Sequence, residues 1–243
     1  MRILVLSDIH SNYTALETVL KDAGAVDAIW CLGDLVGYGP DPNLVVETIR
    51  QQPNLLCLKG NHDAAVSSEM GLDTFNGDAR ISLLWQRRML TAENLEFLRP
   101  LPSLLKLEKV TLSHGSPRDP LWEYILNTFT ARISFEFFET PICFVGHSHI
   151  QSAYLQDPNT HSITPVILRP GQAQSLREGR WILNPGSVGQ PRDRDPRAAY
   201  ALFDPEALTW EPRRVVYDVA EVQERIRKLG LPIKHALRLA EGW

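Results

Sequence analysis

Short apolar runs that stop abruptly at glycine or polar residues recur along this chain. Residues 3–6, 28–32 and 55–58 are each too short for an ordinary helix and read as buried strands. The stretches between them carry a helical period. Ala15, Leu16, Val19, Leu20 and Ala23 share one face, with Ser11 or Asn12 placed to cap the start and Gly24 to end it. Asp41 and Pro42 open a second helix whose buried face is Leu44, Val45 and Ile49. Strand, helix, strand, helix, strand implies a parallel sheet with right-handed crossovers.

Residues 66–99 read as helical, with Ala79, Leu83, Leu84 and Arg87 on one stripe and Thr91 capping a short helix that reaches Phe97. This stretch is open to two uses, as core packing or as a cap over a site. Residues 104–107 and 110–112 pair as strands, residues 129–139 form a helix, and residues 142–145 form another strand. Beyond position 150 come short strands at 152–155, 163–168, 181–183, 199–203 and 215–217, separated by turn residues such as Asp204-Pro205. This half is expected to be mostly antiparallel and to form a second sheet against the first. Asp218 and Glu221 have capping-box spacing before Val222, Ile226 and Leu229, and a last helix follows Gly230 and Pro232. No repeat or linker divides residues 1–243, so one domain is expected.

Composition narrows the class. The 44% hydrophobic and 22% charged fractions suit a globular protein, and a net charge of −4 supplies no bulk field for holding a nucleic-acid backbone. Cys31, Cys57 and Cys143 each sit inside an apolar run, which fits buried free thiols and a reducing, cytoplasmic setting. The apolar run after Arg2 is too short for a signal peptide, and no stretch has transmembrane length.

The chemistry lies where the strands end. Five runs finish in Asp8/His10, Asp34, Asn61/His62, His114 and His147/His149, taking five of the seven histidines in the chain. In an extended exit, residues two apart point to the same side, so Asp8 and His10 can aim at one point. Ligands collect beyond the carboxyl ends of parallel strands, where all these groups would lie. Two carboxylates, one amide oxygen and four imidazoles exceed what one metal needs; they suit two cations sharing a carboxylate, about 3.5–4 Å apart in two-metal hydrolases. Nitrogen and oxygen donors without thiolate point to Mn, Fe, Zn, Co or Ni, with Mn the first choice in vitro.

The ordered motifs DxH, GDxxG, GNHD, a lone His and GHxH, over residues 8–149, resemble the calcineurin-like metallophosphoesterase superfamily. The NPGSVGQPR stretch at 184–192 resembles its small prokaryotic phosphodiesterase-type members. The resemblance implies an α/β fold, a four-layer αββα sandwich with two central mixed sheets. It also implies that Asp8, His10, Asp34 and His149 bind one metal, that Asp34, Asn61, His114 and His147 bind the other, and that Asp34 bridges them. Hydroxide generated between two such cations would attack phosphorus, with His62 supplying the proton that the leaving oxygen needs.

One departure matters. Protein phosphatases of the superfamily carry Asp-Arg in the loop after the GD motif, the arginine gripping phosphate and the aspartate orienting the catalytic histidine. Gly37-Tyr38 stands there instead. Asp63 is near His62 in sequence, and Asn12, Tyr38 and Arg192 are the candidate substrate grips. Arg192, Arg194 and Arg197 alternate with Asp193 and Asp195, so a self-neutralised loop is the competing reading. His161 and His235 fit no motif and are expected at the surface. The expected activity is phosphodiester hydrolysis on small esters or nucleotides, ahead of a phosphomonoesterase or protein phosphatase, a nuclease, or a non-catalytic scaffold. Neither a stable nucleic-acid complex nor a membrane is expected, and the tail helices leave a homo-oligomer open.

Overall fold

The structure, a computed structural model, describes residues 1–67 and 71–243; residues 68–70, inside the stretch expected to be helical, lie outside the described residues. Alternation along the strands sets the layers. β1 (Ile3–Leu6) sends Leu4 and Leu6 to one side and Ile3 and Val5 to the other, and all four are fully buried. A strand buried on both faces needs a layer on each. β2 (Ala28–Cys31) and β3 (Leu55–Cys57) join β1 in parallel, as the strand–helix order implied. On its other edge β1 meets β11 (Ala198–Asp204) antiparallel, then β12 (Thr209–Val215) and the two-residue β9 (Gln174–Ser175).

The second six-stranded sheet runs β4 (Leu104–Lys106), β5 (Val110–Ser113), β6 (Ile142–Phe144), β10 (Arg180–Pro185), β7 (Gln151–Gln156) and β8 (Ile163–Pro165). β5, β6 and β10 are parallel, and the outer pairings are antiparallel. The second half of the chain therefore makes no sheet of its own, contrary to the expectation from its texture. β10 inserts between β6 and β7, and β11 seals the open edge of β1, where unpaired backbone would otherwise be exposed.

Three apolar cores separate the four layers. Ile3, Val5, Trp30, Phe144, Trp181, Leu183, Phe203 and Trp210 fill the space between the sheets. Leu4, Leu6, Ile29 and Cys31 face the opposite way, against α1 (Tyr13–Ala23) and α2 (Pro42–Arg50). The same core takes in α4 (Gly77–Met89), α5 (Ala92–Leu98), α7 (Val219–Lys228) and α8 (Ile233–Glu241). Cys143 and Ile182 face α6 (Thr128–Ser134) and the 3-10 turn Phe135–Phe137. All three cysteines are buried and free.

Local differences have local causes. Asn12 rather than Ser11 caps α1, its Oδ1 accepting from Ala15 N at 3.1 Å. α2 buries Val46 beside Val45 and Ile49 while Leu44 is exposed, and α4 buries Ser82 and Gln86 beside Ala79 and Leu83 while Leu84 is exposed. The strand expected at 215–217 ends there instead, because β12 starts at Thr209. Its Pro212 and its Glu211–Arg213 ion pair (2.7 Å) hide the alternation from sequence. Among the described residues, no helix is long and apolar enough to cross a membrane.

His161 is exposed, but His235 is not; it is buried on α8, with Nε2–H donating to Asp78 O at 3.2 Å. Burial pulls its pKa from 6.5 down to about 4. An imidazole kept neutral in the fold contributes its full stability above pH 6.5 and loses it as the pH falls towards 4, because the unfolded chain takes the proton first. His235→Gln should abolish that share of the acid sensitivity, up to about 3 kcal/mol. The check is the urea midpoint between pH 7 and 4.5; an equal fall in variant and parent would contradict this.

Candidate metal centre

Both sheets end at one place. β1 and β2 deliver the loops that carry Asp8/His10 and Asp34, β3 leads through Lys59-Gly60 into α3 (Asn61–Val66), which opens with Asn61 and His62, and β5 and β6 deliver His114 and His147/His149. The exits are not extended, as the spacing argument assumed. Asp8, His10, Asp34, His147 and His149 have φ of +53, +48, +55, +62 and +59°. Left-handed backbone is uncommon outside glycine, and Asp and His tolerate it better than most residues. It turns each strand end sharply enough for several side chains to converge. The neighbouring loops hold it there: Asp8 N donates to Gly33 O (3.0 Å), His10 N to Asp34 O (3.0 Å) and Ser11 N to Leu35 O (2.8 Å).

The imidazoles are oriented by carbonyls. Nδ1 of His10 lies 2.8 Å from Val36 O, Nδ1 of His114 2.9 Å from Leu32 O, and Nδ1 of His149 2.6 Å from Gln190 O. A carbonyl only accepts, so these Nδ1 atoms carry protons and the Nε2 atoms face the site. His147 is reversed, its Nε2–H donating to Trp122 O at 3.2 Å and leaving Nδ1 for the site. Nε2 of His10 and Nε2 of His149 stand 3.1 Å apart, close for two acceptors with nothing positive between them. Burial holds both rings neutral, well below their ordinary pKa.

The carboxylates complete the arrangement. Asp8 Oδ2 accepts from Ser7 Oγ (2.6 Å) and His147 N (3.0 Å), and Asp34 Oδ1 accepts from His62 N (2.9 Å). Their other oxygens, Asp8 Oδ1 and Asp34 Oδ2, are buried without any hydrogen-bond partner. Asp8 Oδ1 lies 3.3 Å from His149 Nε2, while Asp34 Oδ2 lies 3.4 Å from His114 Nε2 and 3.6 Å from His10 Nε2. Asn61 Oδ1 is 3.4 Å from His114 Nε2. Burial works to lower the His114 pKa, but Asp34 outweighs it and pushes it up to about 9, so a proton stands where a cation could replace it. Orphaned anionic oxygens beside the neutral rings of His10 and His149 and a His114 proton that a cation could displace are costly alone and fit a divalent cation. Asp8, His10 and His149 form one donor group and Asp34, His114 and His147 another, the atoms of each lying within 4.8 Å of one another; His10, Asp34 and His62 form a third, overlapping one.

The remaining candidates divide. His62 lines the cleft of about 100 Å³ that opens on the donors, and Tyr38 and Arg192 line it too. Asn12 does not, because its amide donates to Gly189 O (3.0 Å) and Tyr217 Oη (3.3 Å). Asp63 turns away from the His62 ring and accepts from the backbone N of Asp34 (2.8 Å), Gly60 (3.0 Å) and Val36 (3.2 Å). The arginine-rich loop is only partly self-neutralised. Arg197 pairs with Asp195 (2.6 Å) and Arg214 pairs with Asp193, whereas Arg192 meets no carboxylate among the described residues. Its Nη2 donates to Tyr38 Oη (3.3 Å) and Gln190 Oε1 (3.0 Å).

Sequence reasoning missed Thr74, Phe75, Asn76, Trp122 and Tyr124, which complete the cleft. Tyr124 stacks on His147, with ring centroids 4.1 Å apart and 4° between planes. Two large aromatics in the polar, proline-flanked run after His114 were the available signal. Thr74 to Asn76 belong to the stretch expected as cap or core; they line the cleft, and α4 behind them packs into the core.

Comparison with known proteins agrees with this geometry. The profile of the calcineurin-like phosphoesterase superfamily domain matches residues 1–207. The chain belongs to that superfamily. A metallophosphoesterase from Sphaerobacter thermophilus is 45% identical and superposes with a TM-score of 0.92, covering 100% of this chain and 99% of its own. An uncharacterised protein from Methanocaldococcus jannaschii is 40% identical over 237 residues, 95% of this chain and 93% of its own length. The symmetrical bis(5'-nucleosyl)-tetraphosphatase of Baumannia cicadellinicola is 37% identical over 62 residues, 24% of this chain and 22% of its own. As a calcineurin-like phosphoesterase the chain is a phosphoester hydrolase by family, and its clustered aspartates and histidines suit divalent metal.

Proposed function

We propose that this chain hydrolyses phosphodiester bonds in small, nucleotide-like molecules in the cytoplasm, using two divalent cations of the Mn, Fe, Zn, Co or Ni group. Asp8, His10, Asp34 and His149 would hold one cation, and Asp34, Asn61, His114 and His147 the other. When bound, such a pair neutralises phosphoryl oxygens and makes hydroxide available near neutral pH. The single observation behind this reading is the unpartnered Asp34 Oδ2, within 3.6 Å of His10 Nε2 and 3.4 Å of His114 Nε2, one from each donor group.

The cleft favours a diester of modest size. Arg192 is the guanidinium that reaches it, so a monoanionic diester is better matched in charge than a dianionic monoester. Phe75, Trp122 and Tyr124 offer ring faces to a base, a stacking surface that tolerates any base. The partial likeness to a bis(5'-nucleosyl)-tetraphosphatase supports a nucleotide. Burial pulls the His62 pKa down to about 4, and an anion entering beside the ring favours its imidazolium form, which can then give a proton to the leaving oxygen.

The test uses protein stripped of metal and reloaded with each cation in turn. Nitrophenyl mono- and diesters and a panel of nucleotides and dinucleoside polyphosphates serve as substrates. Diester kcat/KM should exceed monoester kcat/KM by about tenfold or more, with Mn supporting turnover. A monoester preference would overturn the diesterase assignment.

A further inference from the structure

The superfamily profile ends at residue 207, yet α8, beyond it, packs against Tyr38 in the cleft wall. The His235 ring packs on Tyr38 with centroids 4.9 Å apart, and Tyr38 Oη lies 3.1 Å from His62 Nε2. We propose that Tyr38 is the positioning residue for His62, doing the orienting work that Asp63 does not, and that the C-terminal helix holds Tyr38 in place through His235. This rests on the reading of His62 as proton donor given above.

Three sets of observations carry it. Tyr38 Oη is the hydrogen-bond partner of the His62 ring; His62 Nδ1 is buried with none. A buried N–H without an acceptor is rarer than a buried lone pair without a donor, so in the resting ring Nε2 carries the proton and donates a hydrogen bond to Tyr38 Oη. That oxygen also accepts from Arg192 Nη2, which fixes it from a second direction.

Next, Tyr38 sits at φ +55°, a conformation a bulky residue keeps only where its surroundings enforce it. Its loop is held by Gln86, whose Oε1 accepts from Gly37 N (2.6 Å) and whose Nε2 donates to Gly39 O (2.9 Å). Gly37 itself is packed so closely that a Cβ there would overlap the His62 ring. The rings of His10 and His62, at 4.6 and 4.5 Å, and that of His235 surround the phenol.

Finally, the tail is tied down beside this loop. Arg225 on α7 pairs with Asp41 at 2.6 Å, and Arg194 N donates to Gly242 O at 2.7 Å. α8 therefore presents His235 from a fixed position.

Tyr38→Phe keeps the ring and deletes only the hydroxyl. In the metal-loaded protein it should lower kcat about 10- to 100-fold, with KM within about twofold and ion content unchanged. His235→Ala should lower kcat about tenfold, and His235→Phe, which restores a ring, should recover most of it. Nitrogen-15 spectra of labelled histidines in stripped protein supply a readout without turnover. His62 should be the Nε2–H tautomer in the parent and should shift in Tyr38→Phe and His235→Ala, its signals assigned by their loss in His62→Gln. A raised KM at unchanged kcat would make Tyr38 a substrate contact and overturn the proposal, as would unmoved His62 signals. Equal kcat in His235→Ala and the parent would remove the tail from it. A parent that hydrolyses nothing would defeat the functional reading while leaving the spectra to decide the His62–Tyr38 contact.

Discussion

Asp34→Ala is expected to cost at least about 1,000-fold in turnover and to reduce bound metal from two ions per chain to one or none. Asp34 Oδ2 lies within 3.6 Å of nitrogens from both donor groups, and no other carboxylate among the described residues is so placed. Its loss would leave His114 without an anion beside it and His10 with Asp8 Oδ1 alone, at 3.8 Å. Burial alone would raise the Asp34 pKa, but His114 and the neighbouring rings hold it well below the usual carboxylate range, so it is an anion throughout the working pH range. Asp34→Asn separates charge from shape: it keeps an oxygen, but a neutral one. Metal content by plasma emission together with kcat settles the matter. A variant that retained two ions and half the parental rate would show that Asp34 does not join the two groups.

His62→Ala should behave differently. Turnover should fall about 10²- to 10⁴-fold, the range for loss of a positioned acid or base, while both ions stay bound. The ring is not required to complete either four-donor set proposed above. What it contributes is a nitrogen on the wall of the cleft, held by Tyr38 Oη at 3.1 Å. Parental rates in His62→Ala at every pH would end its assignment as the acid. Loss of metal along with rate would instead place it among the ligands, as its grouping with His10 and Asp34 permits.

Much of this arrangement was legible in the residues themselves. The runs ending in Asp8/His10, Asp34, Asn61/His62, His114 and His147/His149 are strands or their immediate exits, because apolar runs of three to five residues cannot be helices of useful length. The order of sheets was not legible. Pairing β10 with β6 and β11 with β1 depends on contacts far apart in sequence, which local alternation does not encode. Left-handed backbone at the donors was equally hidden, since it follows from loops bracing one another. His235 was expected at the surface, and it is buried because its Nε2–H finds an acceptor that only the tertiary fold supplies. Asp63 seemed a partner for His62 by adjacency, but three backbone N–H groups claim its carboxylate first.

The placement of β10 and β11 bears on how the protein matures. A ribosome that has translated as far as His149 has already made every proposed ion donor, yet neither strand that completes the two sheets exists. Asp8 O is later gripped by Ser187 Oγ at 2.7 Å and Gly189 N at 3.0 Å, from a segment still to be synthesised. The bracing of Asp8 and the closing of both sheets therefore wait on residues 180–204, made after the last of the proposed ion donors.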